Sequence, residues 1–356
     1  MKPEHAIQAM KYEARNAVLS VSELSVTFPS GKNRVAVVDQ VSLELAAGEI
    51  LGLVGESACG KSMTGAALMG LVPAPPGHVT AGKMELSGQD LTALDETGWR
   101  QIRGGVMSMI FQEPLTALDP VFSVGSQLWE VIRRHQRNGR SAAKGIAGQL
   151  LRDVGFSDVE RILRSYPHEL SGGMRQRVMI AMAMSCRPSV LIADEPATAL
   201  DVTTQAQVLR LIRRMALDAK SAVLLITHDL GVVAEFCDRV MVMYCGHIVE
   251  EGPVEVLFSR PRHPYTAGLL AALPRLAEGP PIPVRTIPGS VPSPAQRLTG
   301  CRFNTRCDRA GQRCQVQQPK LQSHPGAGAT VDGHDEGHRF ACHYPLGQNT
   351  VEADSP

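Results

Sequence analysis

Apolar residues recur at roughly every second position in VLSVSELSVTF (18–28) and VAVVDQVSLEL (35–45), the rhythm of strands with one face in a core and one in water. PSGKN (29–33) supplies a turn between them, so residues 19–48 are expected to form strands and hairpins. From Glu49 the rhythm changes. Short unbroken apolar runs at 50–54, 190–193 and 222–227 now precede helical patterns, which suits strands covered on both faces. About residues 91–170 carry helical periodicity, as in VGSQLWEVIRRHQ (124–136) and AAKGIAGQLLRDVG (142–155), and predict an inserted, mostly helical subdomain. Residues 1–17 read as a lead-in. Beyond Arg260, proline and glycine crowd RPRHPYTAGLLAALPRL (260–276) and EGPPIPVRTIPGSVPSP (278–294). One short helix around 265–273 is expected there, and a compact unit in the irregular remainder needs a staple.

Composition narrows the class. The chain has 356 residues, 44% apolar and 20% charged, enough for a large core and more than one domain. Its 36 basic and 35 acidic side chains leave a net charge of +1, which gives no electrostatic footprint for nucleic acid. No apolar run approaches the roughly 18–20 residues that cross a bilayer. MKPEHAIQAMKYEARN mixes charges without an apolar centre, so no secretory signal is read and the expected location is cytosolic. There, eight cysteines are expected as free thiols or metal ligands rather than disulfides.

The first strand of the new rhythm runs into GESACGKS (55–62) and then a helical stretch. This is the G-x-x-x-x-G-K-[ST] phosphate loop in its required strand–loop–helix context. Gly55 and Gly60 permit backbone angles that a side chain would forbid. The N–H groups of Glu56, Ser57, Ala58, Cys59 and their neighbours can then turn inward as an anion nest, aided by the helix dipole. Lys61 places a charge near the β- and γ-phosphates, and the Ser62 hydroxyl can ligate Mg²⁺. SVLIADEP (189–196) ends an apolar strand in two acids. Asp194 can hold Mg²⁺ through water, and Glu195 is left to polarise the attacking water. A strand also delivers His228 in LLITHDLG, within reach of a γ-phosphate, and Gln112 follows another in MIFQEP, where its amide can contact metal or water.

LSGGMRQR (170–177) raises a separate question. Ser171, Gly172 and Gly173 expose N–H groups and a hydroxyl at a helix start, which makes a second anion site. One nucleotide rarely needs two such starts from one chain. The economical solution places the second on a nucleotide held by another subunit, two copies sandwiching two ATP molecules head to tail. A plain helix cap with a packing glycine is the simpler alternative.

Taken together, GESACGKS, Gln112, LSGGMRQR, LIADEP, ATALD and THD closely resemble, in this order, the ATPase subunits of ABC transporters. The resemblance spans roughly residues 19–261. It implies an α/β P-loop NTPase with a RecA-like core, an antiparallel β subdomain, a helical subdomain and a small irregular C-terminal extension. Residues 18–260 would be the nucleotide-binding domain and 261–356 the extension. By the same resemblance Ser171 and Gly173 contact the γ-phosphate across a dimer and Asp201 lies in the loop coupling the two sites. Glu195 is the catalytic base, His228 the switch histidine and Phe28 the aromatic on which adenine stacks. Met174 stands where the signature commonly has Gln, and Ala197 and Ala199 where Thr and Ser are frequent. None of these departures removes a charge or ligand, so both half-sites are expected to be competent.

Cys301, Cys307, Cys314 and Cys342 follow a C-x5-C-x6-C pattern with a distant fourth member. Such a quartet suits Zn²⁺ or an iron–sulfur cluster, and the absence of tight C-x2-C knuckles favours the cluster. This tail, with FQEPLTALDP, DVTTQAQVL and HPYTAGLLAALP, resembles the oligopeptide/dipeptide subfamily of ABC importers, some members of which carry a [4Fe–4S] cluster. The resemblance implies a second ATPase subunit, identical or related, two separate membrane permeases and an extracytoplasmic solute-binding protein. It places the chain on the cytoplasmic face of the bacterial inner membrane, powering uptake of peptides or a related small solute. Two other readings stand: a soluble ABC ATPase acting on DNA or ribosomes, and an ATPase controlled by a redox-active cluster. The long coiled coils of the repair type and the paired cassettes of the translation type are not seen.

Overall fold

The computed structural model describes residues 17–113, 117–136, 139–198, 200–273, 286–296, 299–323 and 337–347; the lead-in at 1–16 and Ala199 lie outside them. The alternating runs form two long antiparallel strands, β1 (Ala17–Ser30) and β2 (Asn33–Ala46), in register from Leu19 opposite Leu45 to Ser30 opposite Asn33. Leu19, Val21, Leu24 and Val26 of β1, with Val38, Val41, Leu43 and Leu45 of β2, turn inward. The register shifts along this pair, and Glu23 and Gln40 each take φ 53°. Such irregularities bend and twist a strand pair. With β4 (His78–Thr80), β5 (Lys83–Leu86) and β6 (Gln89–Asp90) they make a five-stranded sheet.

The unbroken apolar runs form the centre of a second sheet. β3 (Ile50–Val54), β7 (Met107–Ile110), β8 (Val190–Asp194), β9 (Ala222–Thr227) and β10 (Arg239–Tyr244) lie parallel in the order β10-β3-β9-β8-β7. Side chains on a strand alternate between faces. Leu51, Leu53, Ile192, Leu224 and Ile226 therefore face the antiparallel sheet and helix α1 (Lys61–Leu68), burying Leu68. Ile50, Leu191, Ala193, Val223 and Leu225 face the opposite core.

That opposite core is mostly helical. Between residues 91 and 170 the chain forms α2 (Glu96–Ile102), β7, α3 (Val124–Gln136), α4 (Arg140–Asp153) and α5 (Val159–Arg164). Leu128, Ile132, Leu151 and Val154 from this stretch share a core with α6 (Gly172–Met184) and α7 (Val202–Ala219). Aspartates begin several helices, because a short acceptor at the cap satisfies an otherwise free N–H. Asp158 accepts from Arg161 N–H at 3.1 Å, and Asp229 accepts from Gly231 N–H at 2.8 Å where α8 (Leu230–Phe236) starts.

The C-terminal segment holds more structure than the expected single helix. α9 (Val254–Ser259) precedes Arg260; beyond it, α10 (Pro264–Ala271) is the expected helix and α11 (Gln312–Val316) is an additional one. Strand β11 (His247–Pro253) pairs antiparallel with β10, and two-residue strands β12 (Gln322–Ser323) and β13 (Arg339–Phe340) extend that edge. Lacking a core of its own, the segment borrows one: Cys301, Phe303 and Cys314 are buried with Tyr244, Val249 and Tyr265. Glu250, wholly buried on β11, accepts from the backbone N–H groups of Arg262 at 2.6 Å and His263 at 2.9 Å and pairs with His338 at 2.8 Å. Removing that acceptor strands buried donors. Glu250→Ala is expected to lower stability by about 3–5 kcal/mol in chemical denaturation; a loss below about 1 kcal/mol would show that the extension does not depend on this junction.

Candidate functional site

Four neighbouring parallel strands deliver the expected chemistry to one edge. Residues 55–62 follow β3, His228 follows β9, Asp194 ends β8, and Gln112 stands two residues beyond β7. The carboxyl ends of such strands are where open α/β sheets bind ligands.

The loop conformation demands its glycines. Gly55 has φ 154° and Gly60 φ 110°. A Cβ on Gly55 would stand 2.2 Å from the Met243 carbonyl oxygen, and one on Gly60 2.6 Å from that of Val37. Ala58 also takes a left-handed φ of 62° within the turn. Ser57 and Ala58 are exposed, whereas Cys59 is buried, and burial raises its thiol pKa despite Lys61 nearby. Lys61 is 5% exposed, and its ammonium donates to the carbonyl oxygens of Gly55 at 2.8 Å and Glu56 at 3.0 Å.

Ser62 Oγ donates to Asp194 Oδ1 at 3.0 Å. Burial raises the Asp194 carboxyl above its ordinary value; the Ser62 bond opposes this and the Glu195 charge adds to it. One hydroxyl and one carboxylate are the donor set Mg²⁺ takes when substrate phosphates and water complete its shell. The residues therefore fit that ion.

Glu195 is held from three sides. Its carboxylate accepts from Gln112 Nε2 at 3.1 Å and Thr198 Oγ1 at 2.9 Å, and meets His228 Nδ1 at 3.2 Å. Burial pushes the carboxyl up, but the hydrogen bonds from His228 and Thr198 outweigh it and leave the carboxyl below its ordinary range. Glu195 also takes φ 45°, a sparsely populated conformation for a non-glycine residue, while its N–H donates to the Ile226 carbonyl at 2.9 Å. A cleft of about 160 Å³ opens beside it, lined by Thr198, Gln205, His228 and Asp229. Gln112, expected at metal or water, is a hydrogen-bond partner of the acid itself.

Ser171, Gly172, Gly173 and Asp201 form a second group. Ser171 Oγ caps α6 by accepting from Met174 N–H at 3.3 Å, and Asp201 caps α7 by accepting from Thr204 N–H at 3.0 Å. The two helix starts adjoin, since a Cβ on Gly173 would lie 3.5 Å from Thr204 Cγ2. Ser171, Gly172 and Asp201 are exposed. Among the described residues, no hydrogen bond joins this group to residues 55–62. Phe28 is half-buried on β1 against the antiparallel-sheet core.

The four C-terminal cysteines are free thiols, Cys301 and Cys314 buried and Cys307 and Cys342 half-buried. Burial, with the charges of Cys301, Cys307 and Cys314 adding to it, pushes the Cys342 thiol up to about 12, and Cys301 stands at about 11 for the same kind of reason. Yet among the described residues no three His, Cys, Asp or Glu side chains form a group that could hold a metal ion. The geometry thus does not fit the four-thiolate cluster expected from the spacing.

Three contributors escaped sequence reasoning. Thr198 lies inside ATALD, three residues after Glu195, and that spacing was its only signal. Gln176, buried within LSGGMRQR, donates to the Pro196 carbonyl and ties α6 to the residue after Glu195. Arg306 reaches Glu56 of the phosphate loop from the far end of the chain.

The family described as "ABC transporter" matches residues 38–198, and "Oligopeptide/dipeptide transporter, C-terminal region" matches residues 249–314. The chain is 48% identical to the oligopeptide transport ATP-binding protein AppD of Bacillus subtilis, over 89% of this chain and 96% of that protein. It is 44% identical to the dipeptide transport ATP-binding protein DppD of Escherichia coli, over 93% and 97%. In fold it is similar to the dimeric ATP-binding cassette MJ0796 bound to ADP and Pi, with TM-score 0.59, 24% identity, and coverage of 66% of this chain and 98% of that one. It is similar too to cbiO1 from Clostridium perfringens, with TM-score 0.58, 21% identity, and coverage of 68% and 91%.

With Glu195 as the base, the carboxylate would have to be ionised to accept a proton, and protonating it would remove turnover on the acid side. Despite burial, the hydrogen bonds from His228 and Thr198 lower the carboxyl and would set that limb lower than an ordinary glutamate does. Thr198→Val deletes one of the lowering hydrogen bonds and is expected to move the acid limb of the pH–kcat profile upward; an unmoved limb would separate Thr198 from the base.

Proposed function

Because the chain belongs to the ABC transporter family of ATP-binding proteins, we propose that it is the ATP-hydrolysing subunit of an importer of oligopeptides, dipeptides or a related small solute. The observation that carries the reading is the meeting of phosphate loop, Asp194, Glu195, Gln112 and His228 at the ends of adjacent parallel strands, in a chain 48% identical to an oligopeptide transport protein. Residues 18–260 serve as the nucleotide-binding domain and 261–356 as the extension.

The chemistry follows from the groups present. Residues 55–62 bind the phosphates through backbone N–H groups, and Lys61 adds a charge. Ser62 and Asp194 would hold Mg²⁺, which supplies charge neutralisation on the phosphates when bound. Glu195 accepts the proton of the attacking water. His228 and Gln112 hold that carboxylate, so the base, the phosphate loop and the strand ends are set in one frame. Phe28 offers an aromatic face for adenine.

A second ATPase subunit, identical or related, completes each site. What supports this is the exposed helix start at residues 171–173, which has the makings of an anion site without a bond to this chain's own phosphate loop. Transmembrane passage needs separate permeases, since among the described residues no helix is long and apolar enough to span a bilayer. Exposed Phe111, Val121, Phe122 and Tyr166 offer apolar contacts to such a partner near Gln112 and the helical insert. The extracytoplasmic solute-binding protein acts only through those permeases, and the ATPase sits peripherally on the cytoplasmic face of the inner membrane.

The [4Fe–4S] cluster expected from the four C-terminal thiols is not carried into this reading. The observed geometry does not assemble them as ligands, and no step of the cycle runs through a cluster.

The two-chain site has its own test. Ser171→Arg places a bulky cation where the second subunit would meet the γ-phosphate. It is expected to abolish steady-state ATP hydrolysis while leaving MgATP binding to single subunits intact. Unchanged hydrolysis would refute the shared site.

A further inference from the structure

Glu56 is an acid inside an anion-binding loop, and every polar group it owns is engaged. Its N–H donates to Tyr265 Oη at 2.9 Å, and its carbonyl accepts from Lys61 Nζ at 3.0 Å. Its carboxylate takes a two-pronged bond from Arg306, Nη1 to Oε2 at 2.7 Å and Nη2 to Oε1 at 3.0 Å. Tyr265 and Arg306 both come from beyond β11, and 250 residues separate Arg306 from Glu56.

Arg306 is built in rather than laid on the surface. Its side chain is 4% exposed. Nε donates to the Pro288 carbonyl at 2.9 Å, and the guanidinium lies 5.8 Å from the centre of the Tyr244 ring. Tyr244, Tyr265 and Phe303 pack on one another with ring centres 4.7–5.4 Å apart. Four residues earlier, Arg302 bonds Asp39 of β2 at 2.9 Å. Pro292 and Ser293 line one recess with Ala58 and Cys59 of the loop. A planar fork matched to a carboxylate is the strong form of ion pair and fixes orientation as well as charge.

An unpaired carboxylate in this loop would repel the phosphates the loop exists to hold. A loop this short keeps each member's charge within roughly a Debye length, ~8 Å at physiological salt, of an anion it encloses. We propose that Arg306 is a positioning residue of the nucleotide site: it neutralises Glu56 and pins the first turn of the phosphate loop, so docking of the C-terminal extension sets nucleotide affinity. The proposal rests on the ATP-binding role of residues 55–62. Its ligand is the polyphosphate of MgATP, and its effect falls on binding rather than on the chemical step at Glu195.

A double-mutant cycle on the full-length protein tests it, with circular dichroism confirming the fold of each variant. Arg306→Met is expected to raise KM for MgATP about tenfold with kcat within about twofold, the split expected when ground-state binding alone is lost. Glu56→Gln keeps the hydrogen-bond acceptor but removes the charge. It should tighten MgATP binding about threefold in the parent, and added to Arg306→Met it should recover most of the lost affinity. If Arg306→Met leaves KM within twofold, or if Glu56→Gln fails to rescue it, the proposal is overturned and the pair only staples the tail. Should Arg306→Met not fold, Glu56→Gln alone decides: unchanged or weaker MgATP binding overturns the charge argument. If the parent binds no MgATP, it is the reading of residues 55–62 as an ATP site that fails; a parent that binds while the cycle shows no coupling sinks this inference alone.

Discussion

Backbone lying on backbone is the constraint from which the site is built. Gly55 rests against the Met243 carbonyl and Gly60 against that of Val37, at distances no Cβ could share. Met243 belongs to β10 and Val37 to β2, so both sheets bear on the loop. The loop is a narrow bridge between two cores, and its N–H groups are aimed by the packing of both. Close approach of this kind is cheap only for glycine, so a side chain at Gly55 or Gly60 would have to displace backbone.

The parallel sheet does the rest of the positioning. β3, β9, β8 and β7 are neighbours in that order, and the phosphate loop, His228, Asp194 and Gln112 stand at or just beyond their ends. Asp194 is buried and raised, whereas Glu195, one residue on, is lowered by its hydrogen bonds. Adjacent acids with opposed shifts suit opposed roles, one to hold a cation and one to take a proton. Glu195 takes a positive φ where the strand ends, and its carboxylate there meets Gln112, Thr198 and His228.

Much of this was legible in the sequence because the phosphate loop, Asp194, Glu195 and His228 sit where hydrophobic runs stop. The runs at 50–54, 190–193 and 222–227 became β3, β8 and β9, and the residues after them became the site. The alternating stretch became β1 and β2 for the same local reason. Illegible parts depend on distant partners. β12 and β13 are two residues each and carry no period to read; they exist because the edge at Glu250 and Glu251 accepts them. Arg306 lies in an irregular stretch between two cysteines, so nothing local distinguishes it from a solvated surface charge. The cysteine spacing suggested a ligand set, yet the segment is ordered around Phe303 and its borrowed tyrosines. Spacing along a chain bounds which groups can meet and leaves open which of them do.

In the two-chain reading, a further consequence lies in how firmly the exposed helix start is tied to its own chain's acid. Gln176, two turns into the signature stretch at most, donates to the Pro196 carbonyl next to Glu195. Gly173 abuts Thr204, whose N–H is capped by Asp201. The exposed helix start at residues 171–173 and Glu195 are therefore parts of one packed unit. Packed units shift as wholes rather than bend, so a phosphate that pulls on residues 171–173 from across an interface also bears on Glu195. Coupling between two such sites then needs no long relay: the few contacts between α6, α7 and the strand end of β8 carry it.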